Sequence, residues 1–269
     1  MQKVLITGGS EGIGYAFAEY YSSIGSEVFL VARNRMKLID IKNTLENTYH
    51  NAVNMICMDL SLQNSASTLY EQVKDENIDI LINNAGCGYT ERFWKIDIEK
   101  EEKMVMLNDM TLMSLTKLFF LDMKKRHEGV ILNVSSTGAF QPGPYIAGYY
   151  ASKTFVASYT RAVYEEAKEY GVRIYCLLPG PVATDFYRKS GVKAPMHAMK
   201  SDKVVAYTIK HMKKKCFIIP GVMNRIVRFL PESIRIYFIK KQNGKIFKRK
   251  EVEWKPLLKY FLKPKSNTI

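Results

Sequence analysis

The stretch Lys3-Val4-Leu5-Ile6-Thr7-Gly8-Gly9-Ser10-Glu11-Gly12-Ile13-Gly14-Tyr15-Ala16-Phe17-Ala18-Glu19 decides the fold. Its first five residues are an apolar run of strand type, and Gly12 to Ser23 reads as a helix. Glycines 8, 12 and 14 therefore sit in the turn between the two. Without a Cβ the backbone can approach a pyrophosphate closely, and the helix N-terminus offers unpaired N–H groups and the positive end of its dipole. The spacing is G-x-x-x-G-x-G rather than G-x-G-x-x-G, and such a turn taken alone is often only a turn. Its place between a first strand and a first helix makes it a nucleotide cradle.

Outward from this point, short runs rich in Val, Ile and Leu recur at Glu27 to Ala32, Val53 to Met58, Asp79 to Ile82, Gly129 to Val134, Val172 to Leu177 and Cys216 to Ile219. Helix-length segments separate them: Arg35 to Tyr49, Ser61 to Lys74, Lys100 to His127, Tyr149 to Tyr170 and Ser201 to Lys213. Strands that are continuously apolar belong to a parallel sheet covered on both faces. The expected fold is thus α/β, a Rossmann-type doubly wound parallel sheet in three α/β/α layers. The domain spans residues 1–219, and a basic helical extension over 220–269 packs on or beside it. Its 269 residues suffice for one sizeable core.

Charge supports that division. Residues 1–185 carry 18 Lys and Arg against 22 Asp and Glu, whereas residues 186–269 carry 22 against 4. An ordinary body with a cationic appendage fits this better than a uniformly nucleic-acid-binding protein. No apolar run approaches 18 residues and no signal-peptide pattern precedes Val4, so the expected location is cytoplasmic, or peripheral at a membrane surface. Cys57, Cys87, Cys176 and Cys216 match neither a disulfide framework nor a zinc knuckle. His50, His127, His197 and His211 have no metal-ligand spacing, and no G-x-S-x-G is present. Metal and serine-hydrolase chemistry are not supported.

In dinucleotide folds an acid at the end of the second strand binds the ribose 2′-hydroxyl of NAD. Here that strand ends Val31-Ala32-Arg33, with no acid and a guanidinium beside the vacant position. A guanidinium suits a phosphate, so NADP(H) is the expected cofactor. The alternative is that Arg33 is a solvated loop charge.

With these residues the chain resembles the short-chain dehydrogenase/reductase family in its compact single-domain form. The resemblance covers residues 3–186. It is carried by Thr7 to Gly14, Asp59, Asn83-Asn84-Ala85-Gly86, Asn108, Asn133-Val134-Ser135-Ser136, Tyr149-Tyr150-Ala151-Ser152-Lys153 and Pro179-Gly180-Pro181-Val182-Ala183-Thr184, in that order. It implies cofactor contacts at Gly8, Ser10, Gly12, Ile13, Gly14, Arg33, Asp59, Asn84, Ala85, Gly86, Tyr149, Lys153, Pro179, Gly180 and Thr184. The catalytic set it implies is Asn108, Ser136, Tyr149 and Lys153, interconverting a ketone and a secondary alcohol.

Part of this follows from the residues directly. Four positions apart on a helix, Tyr149 and Lys153 share one face. An ammonium there stabilises phenolate, lowers the phenol's pKa and fits Tyr149 to exchange a proton with the substrate oxygen. The resemblance adds that Lys153 bonds the nicotinamide ribose, that Asn108 holds a water linking Lys153 to solvent, and that Ser136 holds the carbonyl oxygen. Tyr150 is a rival phenol and Ser135 a rival hydroxyl, and Asn83 and Asn84 also read as plain turn formers.

Substrate selectivity belongs to the loops Cys87 to Ile96, Ala139 to Gly148 and Phe186 to Met199, which hold Phe93, Trp94, Phe140, Tyr145, Phe186, Met196 and Met199. This apolar set favours a bulky lipophilic ketone over a sugar. The segment Ala139 to Lys153 resembles the branch of 3-ketoacyl reductases and 17β-hydroxysteroid dehydrogenases. Two competing readings are a catalytically silent NADP-binding regulator and a basic-tailed membrane or nucleic-acid adaptor. In the tail, Met223, Ile226, Val227, Leu230, Ile234, Tyr237 and Phe238 alternate with Arg225, Arg228, Arg235, Lys240 and Lys241. Such stripes pack on the body or on a second subunit of a dimer or tetramer, or meet a membrane surface or an acyl carrier. Sequence-specific nucleic-acid binding is not expected.

Overall fold

Among the described residues seven parallel strands form one sheet in the order β3-β2-β1-β4-β5-β6-β7. They are β1 (Lys3–Thr7), β2 (Glu27–Ala32), β3 (Val53–Cys57), β4 (Ile80–Asn83), β5 (Gly129–Val134), β6 (Val172–Leu177) and β7 (Phe217–Ile218). The computed structural model describes residues 1–190, 195, 198–212 and 215–244. Every residue of β4 and β5 is buried, which is why these strands read as unbroken apolar runs. The pleat divides them between two layers. Val4 and Ile6 join Phe17 of α1 (Gly12–Ser23), Leu38 of α2 (Arg35–Tyr49) and Val204 of α8 (Ser201–His211) on one face. Leu5 and Leu81 join Leu69 of α3 (Ser65–Val73) and Leu115 and Phe119 of α5 (Leu112–Arg126) on the other.

The chain leaves β1 toward β2 and β3, then crosses to β4 on the far side, with Ile6 opposite Ile82. Beyond the carboxyl ends of β1 and β4 the connections diverge, and this reversal opens the crevice in which such sheets hold ligands.

Several boundaries differ from the sequence-based expectation, for local reasons. The helix expected from Ser61 begins at Ser65, because Asp59 Oδ1 accepts from both the backbone N–H (2.9 Å) and the hydroxyl (2.7 Å) of Ser61 and holds a turn. The helix expected over Lys100 to His127 is α4 (Ile98–Val105), a π-helical turn (Met106–Thr111) and α5. Ile98–Arg126 has the length and apolar composition of a membrane span, but it runs along the body with Leu115, Phe119 and Met123 in the core and Asn108 fully buried. The helix expected from Tyr149 begins two residues earlier, as α6 (Ala147–Ala167).

After β7 the chain forms α9 (Val222–Val227) and a further helix, α10, over residues 232–244. Side chains tie this hairpin to the body: Arg235 donates to the Phe140 carbonyl and to Gln141 Oε1 (3.1 Å), and Asn243 Nδ2 to the Pro144 carbonyl (3.0 Å). The remainder of the expected 220–269 extension, residues 245–269, lies outside the described residues.

Candidate active site

A cavity of about 820 Å³ lies along the carboxyl ends of the strands. Its floor is the turn after β1, and the geometry there depends on glycine. Gly8 and Gly12 adopt φ of 66° and 57°. A Cβ on Gly14 would stand 2.3 Å from the Gly8 carbonyl oxygen, so only glycine lets α1 start this close to the turn. The Gly8 N–H donates to the Val31 carbonyl (2.8 Å), while Thr7 Oγ1 accepts from the N–H groups of Asn84 and Ala85 (both 3.0 Å). Asn84 Nδ2 donates to the Thr7 carbonyl (3.0 Å) and the Gly8 carbonyl (3.2 Å). Asn84 thus braces the cradle from below. Asn83, part of the motif that carries the resemblance and alternatively read as a plain turn former, ends β4 in a buried network, donating to Asn133 Oδ1 (3.0 Å) and Thr116 Oγ1 (3.1 Å).

The glycine end is cationic at its rim. Arg33 is exposed, with Nη1 3.8 Å from Asp59 Oδ2. Burial opposes ionisation of Asp59, but the Ser61 hydrogen bonds and Arg33 hold its carboxyl below the ordinary value. Lys37, at the start of α2, lines the same rim and pairs with Glu11 (3.0 Å), which also pairs with Lys189. Sequence reasoning missed Lys37, Glu11 and Lys189. The first turn of α2 after Arg33 was the available signal.

The residues fit a dinucleotide. Glycines 8, 12 and 14 leave room where side chains would stand, Ser10 and Ile13 line that end, and the rim offers two cations suited to phosphate.

At the other end Tyr149 and Lys153 meet Ser136. Ser136, extended at φ −162° before the 3₁₀ turn Thr137–Phe140, stands beside the Tyr149 phenol, and its Oγ accepts from the Gly138 N–H (3.0 Å). Ser135 Oγ is instead committed to the Lys153 carbonyl (2.7 Å). The Tyr149 ring packs where Gly88 leaves space, since a Cβ there would lie 2.7 Å from the ring. Phe186 packs beside both, its ring centroid 5.1 Å from that of Tyr149 and its Cζ 3.2 Å from where a Cβ on Gly88 would stand. Tyr150 is clamped against Gly138 and Gly143, its phenol pushed up to about 12 by burial.

Lys153 is buried, with Nζ donating to the Val134 carbonyl (2.9 Å) and lying 5.8 Å from the Tyr149 ring centroid. Burial pulls its pKa down to about 8, against the favourable charge of Asp109. One sequence-based expectation is corrected here. The ammonium was to lower the Tyr149 pKa, but burial raises it, the neighbouring Ser136 hydroxyl opposing and Tyr150, Tyr187 and Cys87 adding to the rise. The same desolvation that weakens the lysine's hold on its proton keeps the phenol neutral.

The π turn buries Asn108, whose Oδ1 accepts from the Cys87 N–H (3.0 Å) while Nδ2 donates to the Cys87 carbonyl (2.9 Å) and Ser152 Oγ (3.0 Å). It fixes the Gly86–Gly88 segment against α6. Gly86 lies between Asn108 and Lys153, where a Cβ would be 3.2 Å from Asn108 Oδ1 and 3.4 Å from Lys153 Nζ.

Pro179, Gly180 and Thr184 line the far wall, with Thr184 against Gly12. Among the expected substrate residues, Phe186 lines the cavity. Phe140 packs instead against the cluster of Ala157, Cys176, Leu178, Cys216 and Ile219. Tyr145, in the left-handed region at φ 69°, gives its carbonyl to the Glu91 N–H (2.9 Å) and lies near Gly244. Met199 bridges to Val182, Phe93 and Trp94 are exposed away from the cavity, and Met196 lies outside the described residues. The aromatic and apolar lining comes from Ile146, Tyr150, Phe186, Tyr187 and, from α10, Ile239, with Gln242 and Asn243 beside it.

Comparison with known proteins gives the family of the chain. Residues 2–194 match the short chain dehydrogenase family, and the chain belongs to it. The very-long-chain 3-oxoacyl-CoA reductase of Rattus norvegicus is 28% identical over 236 residues, covering 86% of this chain and 76% of the rat protein. The mouse protein of that name is 31% identical over 184 residues, 67% of this chain and 59% of its own length. A short-chain dehydrogenase from Sphingobium yanoikuyae, solved in complex with NADPH, superposes with a TM-score of 0.79 at 22% identity, covering 100% of this chain and 99% of that one. The protein is an oxidoreductase of CH–OH and C=O groups that uses a nicotinamide cofactor.

Proposed function

We propose that the chain is an NADP(H)-dependent reductase of a bulky lipophilic ketone, of the 3-oxoacyl thioester or hydroxysteroid type. What carries the reading is the two-ended cavity: a glycine cradle with Arg33 and Lys37 at one end, an aromatic and apolar lining at the other, and Ser136, Tyr149 and Lys153 between. Two cations and no acid at the end of β2 favour a phosphate over a ribose hydroxyl. The 3-oxoacyl class is supported by the name of the rat and mouse relatives.

When bound, the reduced nicotinamide supplies a hydride. Ser136 and Tyr149, whose hydroxyls lie side by side, converge on one carbonyl oxygen. Ser136 orients it, and Tyr149 delivers its proton as the carbonyl carbon is reduced, leaving a secondary alcohol and a phenolate. A raised phenol pKa keeps the proton in place at neutral pH until negative charge develops on the oxygen. Lys153, with a pKa of about 8, is mostly cationic at neutral pH and stabilises the resulting phenolate. Asn108 keeps the Cys87 segment fixed beside them.

The test is NADPH and NADH oxidation against 3-oxoacyl thioesters of increasing length, ketosteroids and small ketones. Efficiency should be highest with NADPH and a long acyl or steroid ketone. Equal use of both cofactors, or preference for a small polar ketone, would overturn the assignment.

A further inference from the structure

The α9–α10 hairpin has two unlike faces. On α10, Arg235, Ile239, Gln242 and Asn243 turn inward: Arg235 and Asn243 bond the 140–144 loop, and the last three line the cavity. On another side of the same helix Ile234, Tyr237 and Phe238 are 41%, 59% and 58% exposed. Met223, Ile226 and Phe229, just before, are 68%, 51% and 75% exposed. So many large apolar side chains in one short segment exceed the scattered singles of an ordinary surface. Arg225, Arg228, Lys240 and Lys241 stand among them, and Glu232 is the only acid between residues 220 and 244. Among the described residues none of these four cations is paired with a carboxylate. Arg228 lies 4.6 Å from the Phe229 ring centroid and Lys241 Nζ 5.8 Å from that of Tyr237.

We propose that this outer face is an interfacial docking surface for an anionic lipid membrane, seating the cavity mouth against the bilayer. Charge selects this occupant. In a two-fold interface between copies the same four cations would face one another. Residues 245–269 carry eight Lys and Arg against Glu251 and Glu253, and would likewise bring like charge to the patch. Anionic headgroups neutralise the cations while the apolar side chains enter the acyl boundary, as for a helix lying in the interface plane. The inner face of the hairpin borders the cavity, so a substrate drawn from the lipid would meet Ile239 at the entrance. That use rests on the lipophilic substrate proposed above; attachment does not.

The experiment is co-sedimentation of the full chain with vesicles of phosphatidylcholine alone, or mixed with phosphatidylserine, at low and physiological salt. Binding should require phosphatidylserine and weaken as salt rises. F229S/Y237S/F238S should lower partitioning roughly tenfold while leaving the melting temperature and the turnover of a short soluble ketone unchanged. Removing one of the four cations should cost on the order of fivefold. Failure of the wild type to bind, equal binding to both vesicle types, or a triple variant that binds like wild type would each overturn the proposal. So would a lipid-free dimer that the triple variant dissociates, which assigns the patch to a second copy. A chain that binds vesicles but reduces no ketone supports the surface and overturns the reductase reading instead.

Discussion

At the glycine end of the cavity the backbone is held by the main chain and short side chains of neighbouring strands: Gly8 and Gly9 N–H on Val31, and Thr7, Asn84 and Ala85 on one another. At the substrate end the wall comes from the five-residue α7 (Asp185–Lys189) and from α10, tied down by Arg235 and Asn243. The first end is fixed by the sheet, and the second is laid over it. Cofactor binding should therefore tolerate little change in shape, whereas substrate preference should respond to small changes without loss of the fold.

The largest effect belongs to the junction of the two ends. Tyr149→Phe should reduce kcat by about 10²- to 10⁴-fold while nucleotide binding, read by fluorescence, persists. Tyr150→Phe should keep most of its activity, and the reverse outcome would exchange their roles. Next comes a test of rigidity: Gly14→Ala pushes a Cβ against the Gly8 carbonyl and Asn84 Nδ2 and should cost about 1–3 kcal/mol, read as a lower melting temperature with weakened nucleotide binding. An unchanged melting temperature would mean that the glycine end is as yielding as the other.

Lys153 tests what the buried junction costs. Its pKa of about 8 lies below the ordinary 10.5. Below pH 8 folding buries a cation at a constant penalty, and between pH 8 and 10.5 that penalty is relieved as pH rises, because the unfolded chain then binds the extra proton. Lys153→Met should therefore be inactive yet more stable at pH 7, on the order of 1–3 kcal/mol, with the gain shrinking toward pH 10.5. A gain that persists there would come from packing. In the wild type, kcat/KM for reduction should fall as pH rises through about 8, as the lysine loses its proton.

The two smallest effects separate the ends. Arg33→Ala should raise the NADPH KM roughly tenfold, the worth of a charge-assisted hydrogen bond, and leave NADH unchanged. Ile239→Ala should alter KM for long acyl or steroid ketones by a few-fold, on the order of 1 kcal/mol, and leave small ketones and the melting temperature alone. Should Ile239→Ala behave like Gly14→Ala, the contrast would fail.

How much of this the sequence disclosed follows the same contrast. Thr7 to Gly14 and the Tyr149 to Lys153 spacing are local patterns, so the doubly wound fold and the cluster of Ser136, Tyr149 and Lys153 were legible in the sequence, whereas the strand order was not read from it. Lys37 was overlooked because its relevance depends on α2 starting beside Arg33. Ile239, Gln242 and Asn243 were invisible because they reach the cavity across about a hundred residues of chain from Pro144. Phe140 and Tyr145 lie in the loop whose Ile146 lines the cavity, but side-chain direction there is set by the 3₁₀ turn and by a left-handed backbone at Tyr145. Nor could apolar spacing reveal the π turn that aims Asn108 at Cys87.

The binding of Thr7 Oγ1 by Asn84 and Ala85 has a consequence in time. The nucleotide cradle is assembled from segments near residues 7–14, 31–37, 84–86 and 179–184, so a nascent chain leaving the ribosome lacks a working one until residue 184 has emerged. The central strand β1 finds its second partner sooner, once β4 (Ile80–Asn83) has emerged, but before that one of its edges stays unpaired, a long-range closure that slows folding and exposes apolar surface meanwhile. Cofactor capture is accordingly a late event in the life of each molecule, and abundant nucleotide would stabilise the finished domain rather than guide its first steps.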